Sequence, residues 1–119
     1  MINVRNQIRE ALLEITENVR MTRPEGEQVF PLITMAEITN VNVNMREDRI
    51  EYQIDAYHNT FEDVIDLMQK IDNKMTELGW HRTYVTPDSQ TRRGTDFYRK
   101  SMNYVARIDT YFMDITGGY

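Results

Sequence analysis

Apolar residues recur along this chain with two different periods. Val4, Ile8, Ala11, Leu12, Ile15 and Val19 fall within roughly 100° of helical arc, so the spacing predicts an amphipathic helix. It starts near Asn3, whose side chain suits an N-cap, and ends before Pro24. Leu13 lies outside this stripe, on the opposite side with Arg9, Glu10 and Glu17; it is either an ordinary exposed leucine or a partner contact. Thr22 to Gln28, with Pro24, Gly26 and three charged side chains, reads as an exposed connection.

The period then shortens to two. Leu32, Thr34, Ala36 and Ile38 alternate with Ile33, Met35 and Glu37, whereas farther on Val41, Val43 and Met45 alternate with Asn42 and Asn44. The apolar parity thus changes from even to odd, and a strand cannot exchange faces without an extra residue. A bulge or kink is therefore expected near Thr39 and Asn40. Arg46 to Asp48 supply a polar turn, after which Ile50, Tyr52, Ile54 and Ala56 alternate with Glu51, Gln53 and Asp55. The two strands are expected to form an antiparallel hairpin.

Thr60 opens a second helix, with Asp63 three residues on completing an approximate capping box. Phe61, Val64, Ile65, Met68, Ile71, Met75 and Leu78 form one broad stripe, and Gly79 stands where a left-handed C-terminal residue is wanted. The methionines read as core filler rather than a binding groove. Asp72 falls close to the stripe and is expected to reach around the helix edge to water or an arginine.

Trp80 to Thr86 reads as a third strand, ended by Pro87. Asp88-Ser89-Gln90-Thr91-Arg92-Arg93-Gly94 is polar and contains glycine, which predicts a mobile loop of a length that suits binding. A fourth strand follows, with Tyr98, Met102, Tyr104, Ala106 and Ile108 on one face and Arg99, Ser101, Asn103, Arg107 and Asp109 mostly on the other. Tyr111 to Ile115 either continues it or leaves the domain, and Gly117, Gly118 and Tyr119 read as a frayed tail.

The predicted order is helix, strand, strand, helix, strand, strand. The expected fold is α+β, a four-stranded, mainly antiparallel sheet with its helices packed on one face. The other face would carry Glu51, Gln53, Asp55, Arg99 and Arg107, solvated in a lone monomer or covered by a neighbouring subunit.

Composition narrows the function. At 119 residues the chain fits one domain around one core. A net charge of -5 argues against a general nucleic-acid binder, which needs a basic surface to displace counterions. The absence of cysteine fits a reducing compartment, and Arg5, Arg9, Glu10 and Glu14 near the start argue against a signal peptide or spanning helix. A cytoplasmic place of synthesis and assembly, without membrane, is expected.

Enzymatic chemistry finds little support. His58 and His81 lie far apart without metal-ligand spacing, and no nucleophile motif surrounds Ser89 or Ser101. Asp55 and His58, three apart near a strand end, face opposite ways while the strand stays regular. Asp63 and Asp66 sit on the polar face of their helix, where a solvated surface is the usual explanation, and the glycines form no phosphate loop. No catalytic residue, cofactor or metal is expected. Arg92 and Arg93 with Tyr98 and Arg99 form the one basic and aromatic cluster, better suited to an acidic partner subunit than to a phosphate backbone.

The run Phe30-Pro31-Leu32-Ile33-Thr34-Met35-Ala36-Glu37-Ile38, the strand Ile50-Glu51-Tyr52-Gln53-Ile54-Asp55-Ala56-Tyr57, the helix start Thr60-Phe61-Glu62-Asp63-Val64 and the late segment Arg93-Gly94-Thr95-Asp96-Phe97-Tyr98-Arg99-Lys100-Ser101-Met102 together resemble the tail-completion, or tail-terminator, proteins of long-tailed bacteriophages. The resemblance rests on arrangement and residue preference. It implies a structural virion protein of the neck, without catalytic residues. Such a protein forms a homo-oligomeric ring, commonly of six copies, that ends the tail tube and joins it to the head connector or adaptor. Candidate contacts are Leu13, the polar face (Glu51, Gln53, Asp55, Arg99, Arg107), the loop with Asp88, Arg92 and Arg93, and the C-terminal segment with Tyr111. An acidic balance would suit a channel through which DNA slides without specific binding. Two alternatives stay open: another neck component, head-completion or connector adaptor, and a small nucleic-acid-binding α+β domain using Arg92, Arg93 and Tyr98.

Overall fold

The computed structural model describes residues 3–22, 29–87, 92–93, 97–111 and 114–117, with the backbone alone described at 92–93 and 117. Its elements are α1 (Arg5–Leu13), β1 (Val19–Arg20), β2 (Leu32–Asn42), β3 (Glu47–His58), α2 (Phe61–Glu77), β4 (His81–Val85), β5 (Arg92–Arg93), β6 (Tyr98–Asp109) and β7 (Ile115–Gly117). The sheet runs in the order β1-β2-β3-β6-β4, with β5 and β7 also pairing with β6. Every pairing is antiparallel except that of β1 with β2. The expected α+β class and the antiparallel pairing of β2, β3, β6 and β4 hold, and short strands extend the expected four.

α1 is shorter than its stripe predicts. The N-cap position falls to Val4, which has no side-chain cap bond, rather than to the expected Asn3; Asn3 lies one residue earlier and accepts from the Arg5 backbone N–H at 3.0 Å, and the helix stops at Leu13. Beyond it the Thr16 hydroxyl accepts from the Asn18 N–H at 3.3 Å, a local bond that competes with the helical ladder. The Asn18 carbonyl accepts from Ile33 N–H at 3.0 Å, so Val19 leaves the helix and pairs with Ile33 as β1. The connection expected at Thr22 to Gln28 lies, beyond Thr22, outside the described residues.

In β2 the register shifts between Glu37 and Thr39, so Ile38 is the extra residue, beside the predicted Thr39 and Asn40. Register with β3 sets Leu32, Thr34, Ala36, Thr39 and Val41 on one face and Ile33, Met35, Glu37 and Asn40 on the other. The parity change keeps Leu32 and Val41 on a single face, the one turned away from the helices. The turn falls at Val43 to Arg46 rather than Arg46 to Asp48: β3 begins at Glu47, and Val43 N–H donates to the Glu47 carbonyl at 2.9 Å.

α2 matches its signals. Thr60 Oγ1 accepts from Asp63 N–H at 3.2 Å, and Gly79 takes φ 96°, which an L side chain would strain. The buried stripe is rotated from the expected one: Leu67 joins Val64, Ile71 and Met75 inside, while Phe61 at the helix start is partly exposed against the edge of Tyr98. The core lies between α1, α2 and the sheet face bearing Ile33, Met35, Ile50, Tyr52, Ile54, Ala56, Met102, Tyr104, Ala106 and Ile108. Tyr52 meets Trp80 edge-on, and the Tyr52 hydroxyl and Trp80 indole N–H are buried without a hydrogen-bond partner.

Two further expectations change. Arg92 and Arg93, placed in a mobile loop by the sequence, form β5 against Arg99 and Tyr98. Gly117, placed in a frayed tail, belongs to β7, which returns along Arg107 and Ile108 and brings Ile115 against the core. Among the described residues no helix is long and apolar enough to cross a membrane.

Candidate interaction surfaces

The sheet face turned away from the helices collects most of the expected contact residues. Glu51, Gln53 and Asp55 from β3 and Arg99 and Arg107 from β6 all point to it by register. This face is less wet than its composition suggests. Leu32, Tyr57 and Val105 are buried there, and Asp55 is only 6% exposed, so the expectation of a simply solvated face is corrected. The cause is at one end of the face. Phe97 stacks on Phe30 and tilts against Tyr57, each at 6.0 Å between ring centres, and Arg99 lies 5.9 Å over the Tyr57 ring. Arg99 Nη2 donates to Asp55 Oδ2 at 2.7 Å and Gln53 Nε2 to Asp55 Oδ1 at 3.0 Å. Burial opposes the guanidinium charge, but the Asp55 carboxylate and, behind it, Tyr57 together outweigh it and raise the Arg99 pKa.

At the opposite end of the face, like charges stand across from each other: Arg49 from Arg107, and Glu47 from Asp109. Neighbours relieve the acidic pair. Arg46 reaches Asp109 at 3.2 Å, and Glu47 accepts from the Thr116 hydroxyl and, at 3.1 Å, from Asn44 Nδ2. These two bonds, the Thr116 bond first, lower the Glu47 pKa.

The same end carries apolar side chains in water. Met45 is 96% exposed at the β2–β3 turn, and Tyr111 is 80% exposed in the turn between β6 and β7. Thr110 joins the turns, its N–H donating to the Arg46 carbonyl at 2.5 Å and its hydroxyl to the Met45 carbonyl at 3.5 Å. Ile38 and Val41, 44% and 53% exposed, continue this apolar rim along β2. Sequence reasoning found Tyr111 but assigned Val41, Val43 and Met45 to a strand stripe without placing them in water.

The remaining expected contacts scatter. Leu13 is exposed at the end of α1, on the helical side and away from the polar face. Asp88 lies outside the described residues. Arg92 and Arg93 are set by register beside Arg99 and Tyr98, which draws the basic and aromatic cluster together along the backbone.

Possible chemistry elsewhere is structural in its geometry. The Tyr104 hydroxyl donates to Asp72 Oδ1 at 2.8 Å and Arg82 Nη1 meets Asp72 Oδ2 at 2.8 Å, fastening α2 to β6 and β4 and giving Asp72 its expected arginine. Burial first and the Asp72 carboxylate second push the Tyr104 pKa upward. His58 Nδ1 accepts from the Asn59 N–H at 2.8 Å, and Asp55 and His58 face opposite sides of β3 as expected. No group of three or more His, Cys, Asp or Glu able to hold a metal occurs among the described residues.

A scan against models of known protein families finds no match to this chain, and a search of curated proteins finds no significant one.

Proposed function

We propose that this chain is a structural protein of a phage neck, forming a ring, commonly six copies, that terminates the tail tube and joins it to the head connector. One observation supports this reading beyond the resemblance. Ile38, Val41, Val43, Met45 and Tyr111 are exposed together along one sheet edge and one end, an apolar rim larger than isolated surface residues explain. A monomer gains nothing from such a rim, whereas a subunit buries it against a neighbour. In this reading the polar face and the Arg92–Arg93 strand make wet, charge-matched contacts, and the acidic balance of -5 lets DNA pass without sticking.

The test is association with the tube. The purified chain is expected to be monomeric or weakly associated alone and to form rings on tail tube protein, read by light scattering and electron microscopy. No ring and no tube contact under either condition overturns the proposal. Particles assembled without the protein separate it from its neighbours in the neck: headless tails of uncontrolled length mark a terminator, and filled heads that leak mark a head-completion protein or adaptor. The pairing of Arg92 with Arg99 and of Arg93 with Tyr98 favours a nucleic-acid reading as the second candidate. Salt-sensitive oligonucleotide binding lost in Arg92→Ala with Arg93→Ala would carry it.

A further inference from the structure

We propose that each copy of this chain holds the next through a double charge contact, in which Arg49 and Arg107 on the outer sheet face receive the Glu62 and Asp66 carboxylates at the start of α2 in the neighbouring copy. The inference rests on the ring reading and specifies one of its contacts. Its starting point is a repulsion that the lone chain does not relieve. Arg49 and Arg107 are register partners on β3 and β6, so their side chains leave one face about 5 Å apart at Cβ, where like charges destabilise the sheet. Neither guanidinium has an ion pair among the described residues. Glu51 follows Arg49 on the same face and still pairs with neither arginine. Arg107 feels the Glu47 charge, but that carboxylate is held by Thr116 and Asn44, and Asp109 is held by Arg46. Both arginines stay partly exposed, and the Arg107 Nε is buried without a hydrogen-bond partner.

The complement stands on the other layer of the same chain. Glu62 and Asp66 are one helical turn apart on α2, which sets their Cβ atoms about 5–6 Å apart on one side of the helix. Both are exposed, and neither has an ion pair among the described residues. Lys70, a further turn along, forms no ion pair with Asp66. The other helical acids of similar spacing are engaged: Glu14 pairs with Lys74, and Asp63 lies 3.8 Å from His58. Two carboxylates that repel each other thus stand at nearly the spacing of two guanidiniums that repel each other. Docking one pair on the other replaces both repulsions with charge-assisted hydrogen bonds and offers an acceptor to the Arg107 guanidinium.

Position decides what kind of assembly this contact builds. The arginines lie on the face turned away from the helices, whereas α2 covers the opposite face, so no chain satisfies itself. Arg49 is near the start of β3 and α2 begins just past its end, which separates the two sites by roughly 30 Å along the strand. Copies therefore overlap head to tail, the hairpin end of one on the α2 start of the next. A two-fold dimer does not serve, because setting the sheet layer of one copy on the helical layer of another turns the remaining two layers outward. The contact is heterologous and repeats from copy to copy, the kind that closes rings. Val41 extends the arginine row and Phe61 stands beside Glu62, so exposed apolar area borders the charges on both partners.

Charge reversal tests the pairing from both sides. Arg49→Glu with Arg107→Glu makes one variant acidic at both sites, and Glu62→Arg with Asp66→Arg makes the other basic at both. Association is read by sedimentation in concentrated solution at low salt and by electron microscopy on tail tube protein. The wild type is expected to associate and to fall apart as salt rises. Each variant alone is expected to lose association, and an equal mixture of the two to recover it, since the acidic sheet face of one then meets the basic helix of the other. Arg49→Gln with Arg107→Gln gives the same loss if the reversed sheet variant does not fold. Wild-type assembly by any of these variants alone, or loss in both folded reversals without recovery in the mixture, overturns the pairing and leaves the ring reading standing. Recovery without attachment to the tube upholds the pairing and overturns the tail reading. No wild-type association in either condition overturns both, and oligonucleotide binding lost in Arg49→Glu with Arg107→Glu then assigns the arginine pair to phosphates.

Discussion

Ile54 and Asp55 are consecutive residues of β3 that point to opposite faces of the sheet, and both are withdrawn from water. Ile54 is covered by helices in the ordinary way of an α+β core. Asp55 is covered by its own face: Arg99, Gln53 and the Phe30, Phe97 and Tyr57 rings close over one end of a surface that has no helix on it. The first kind of burial is apolar and continuous, whereas the second depends on a charge pair. That difference makes the faces respond to substitution by different mechanisms. It also divides the outer face into a dry end at Asp55 and a charged end at Glu47, Arg49, Arg107 and Asp109, beside the exposed rim.

The largest expected effect is on the helical face. Ile54→Ala leaves a cavity under α2 and should lower stability by about 4 kcal/mol in urea unfolding. Its neighbour tests the other mechanism. Asp55→Ala strands the Arg99 guanidinium, which is partly buried and has its Nε already without a partner, and should cost about 3 kcal/mol. Asp55→Leu combined with Arg99→Met should recover most of that loss, because both charges are then removed together. If Asp55→Ala unfolds at the wild-type urea midpoint, the dry end of the outer face does not exist in solution.

Two tyrosines facing each other across β3 and β6 sharpen the contrast within the helical face. The Tyr104 hydroxyl donates to the Asp72 carboxylate, and Tyr104→Phe should cost about 2 kcal/mol, the scale of a hydrogen bond to a charged group. The Tyr52 hydroxyl is buried without a partner, so Tyr52→Phe should leave stability within about 1 kcal/mol of wild type, on the stabilising side. Equal losses from the two variants would mean that Tyr52 gains a partner in solution. Because burial raises the pKa of both phenols, each stays protonated in the folded chain above the pH at which it ionises unfolded. The two phenols' contribution is therefore full below pH 10 and declines as pH rises beyond it, less steeply in Tyr104→Phe.

How much of this was legible follows from the distance over which each feature is decided. α2 was legible because Thr60, Asp63 and Gly79 act within a turn of their own positions. The bulge at Ile38 was legible because alternation over Leu32 to Ala36 and again at Val41 cannot continue in one register. Val19 was not, since a two-residue strand shows no alternation and only Ile33, far along the chain, draws it out of the helical stripe. The dryness of Asp55 was equally hidden: the sequence places it correctly on the polar face, but its cover comes from Arg99 and Phe97, more than forty residues away. Of the expected contact residues, the polar-face set was gathered by strand parity alone. The apolar rim was missed because Val43 and Met45 look like strand residues until the turn closes around them.

The smallest expected effect lies at the charged end, where Glu47 is partly exposed and its carboxylate is held by Thr116 and Asn44. Its pKa is lower in the folded chain than the ordinary 4.5, so the unfolded chain takes up a proton first as pH falls. The carboxylate's contribution is thus complete above pH 4.5 and is lost as acid titrates the folded group. The bond joins β3 to β7, and the loss should appear first as freer hydrogen exchange in Ile115 to Gly117 rather than as a shift of the whole unfolding transition. Thr116→Val removes the leading cause of the lowered pKa and should bring exchange in β7 near neutral pH toward the level that the wild type reaches only in acid. Unchanged exchange in that variant would place the hold on β7 in its pairing with Arg107 and Ile108, and in Ile115 against the core, rather than in the carboxylate.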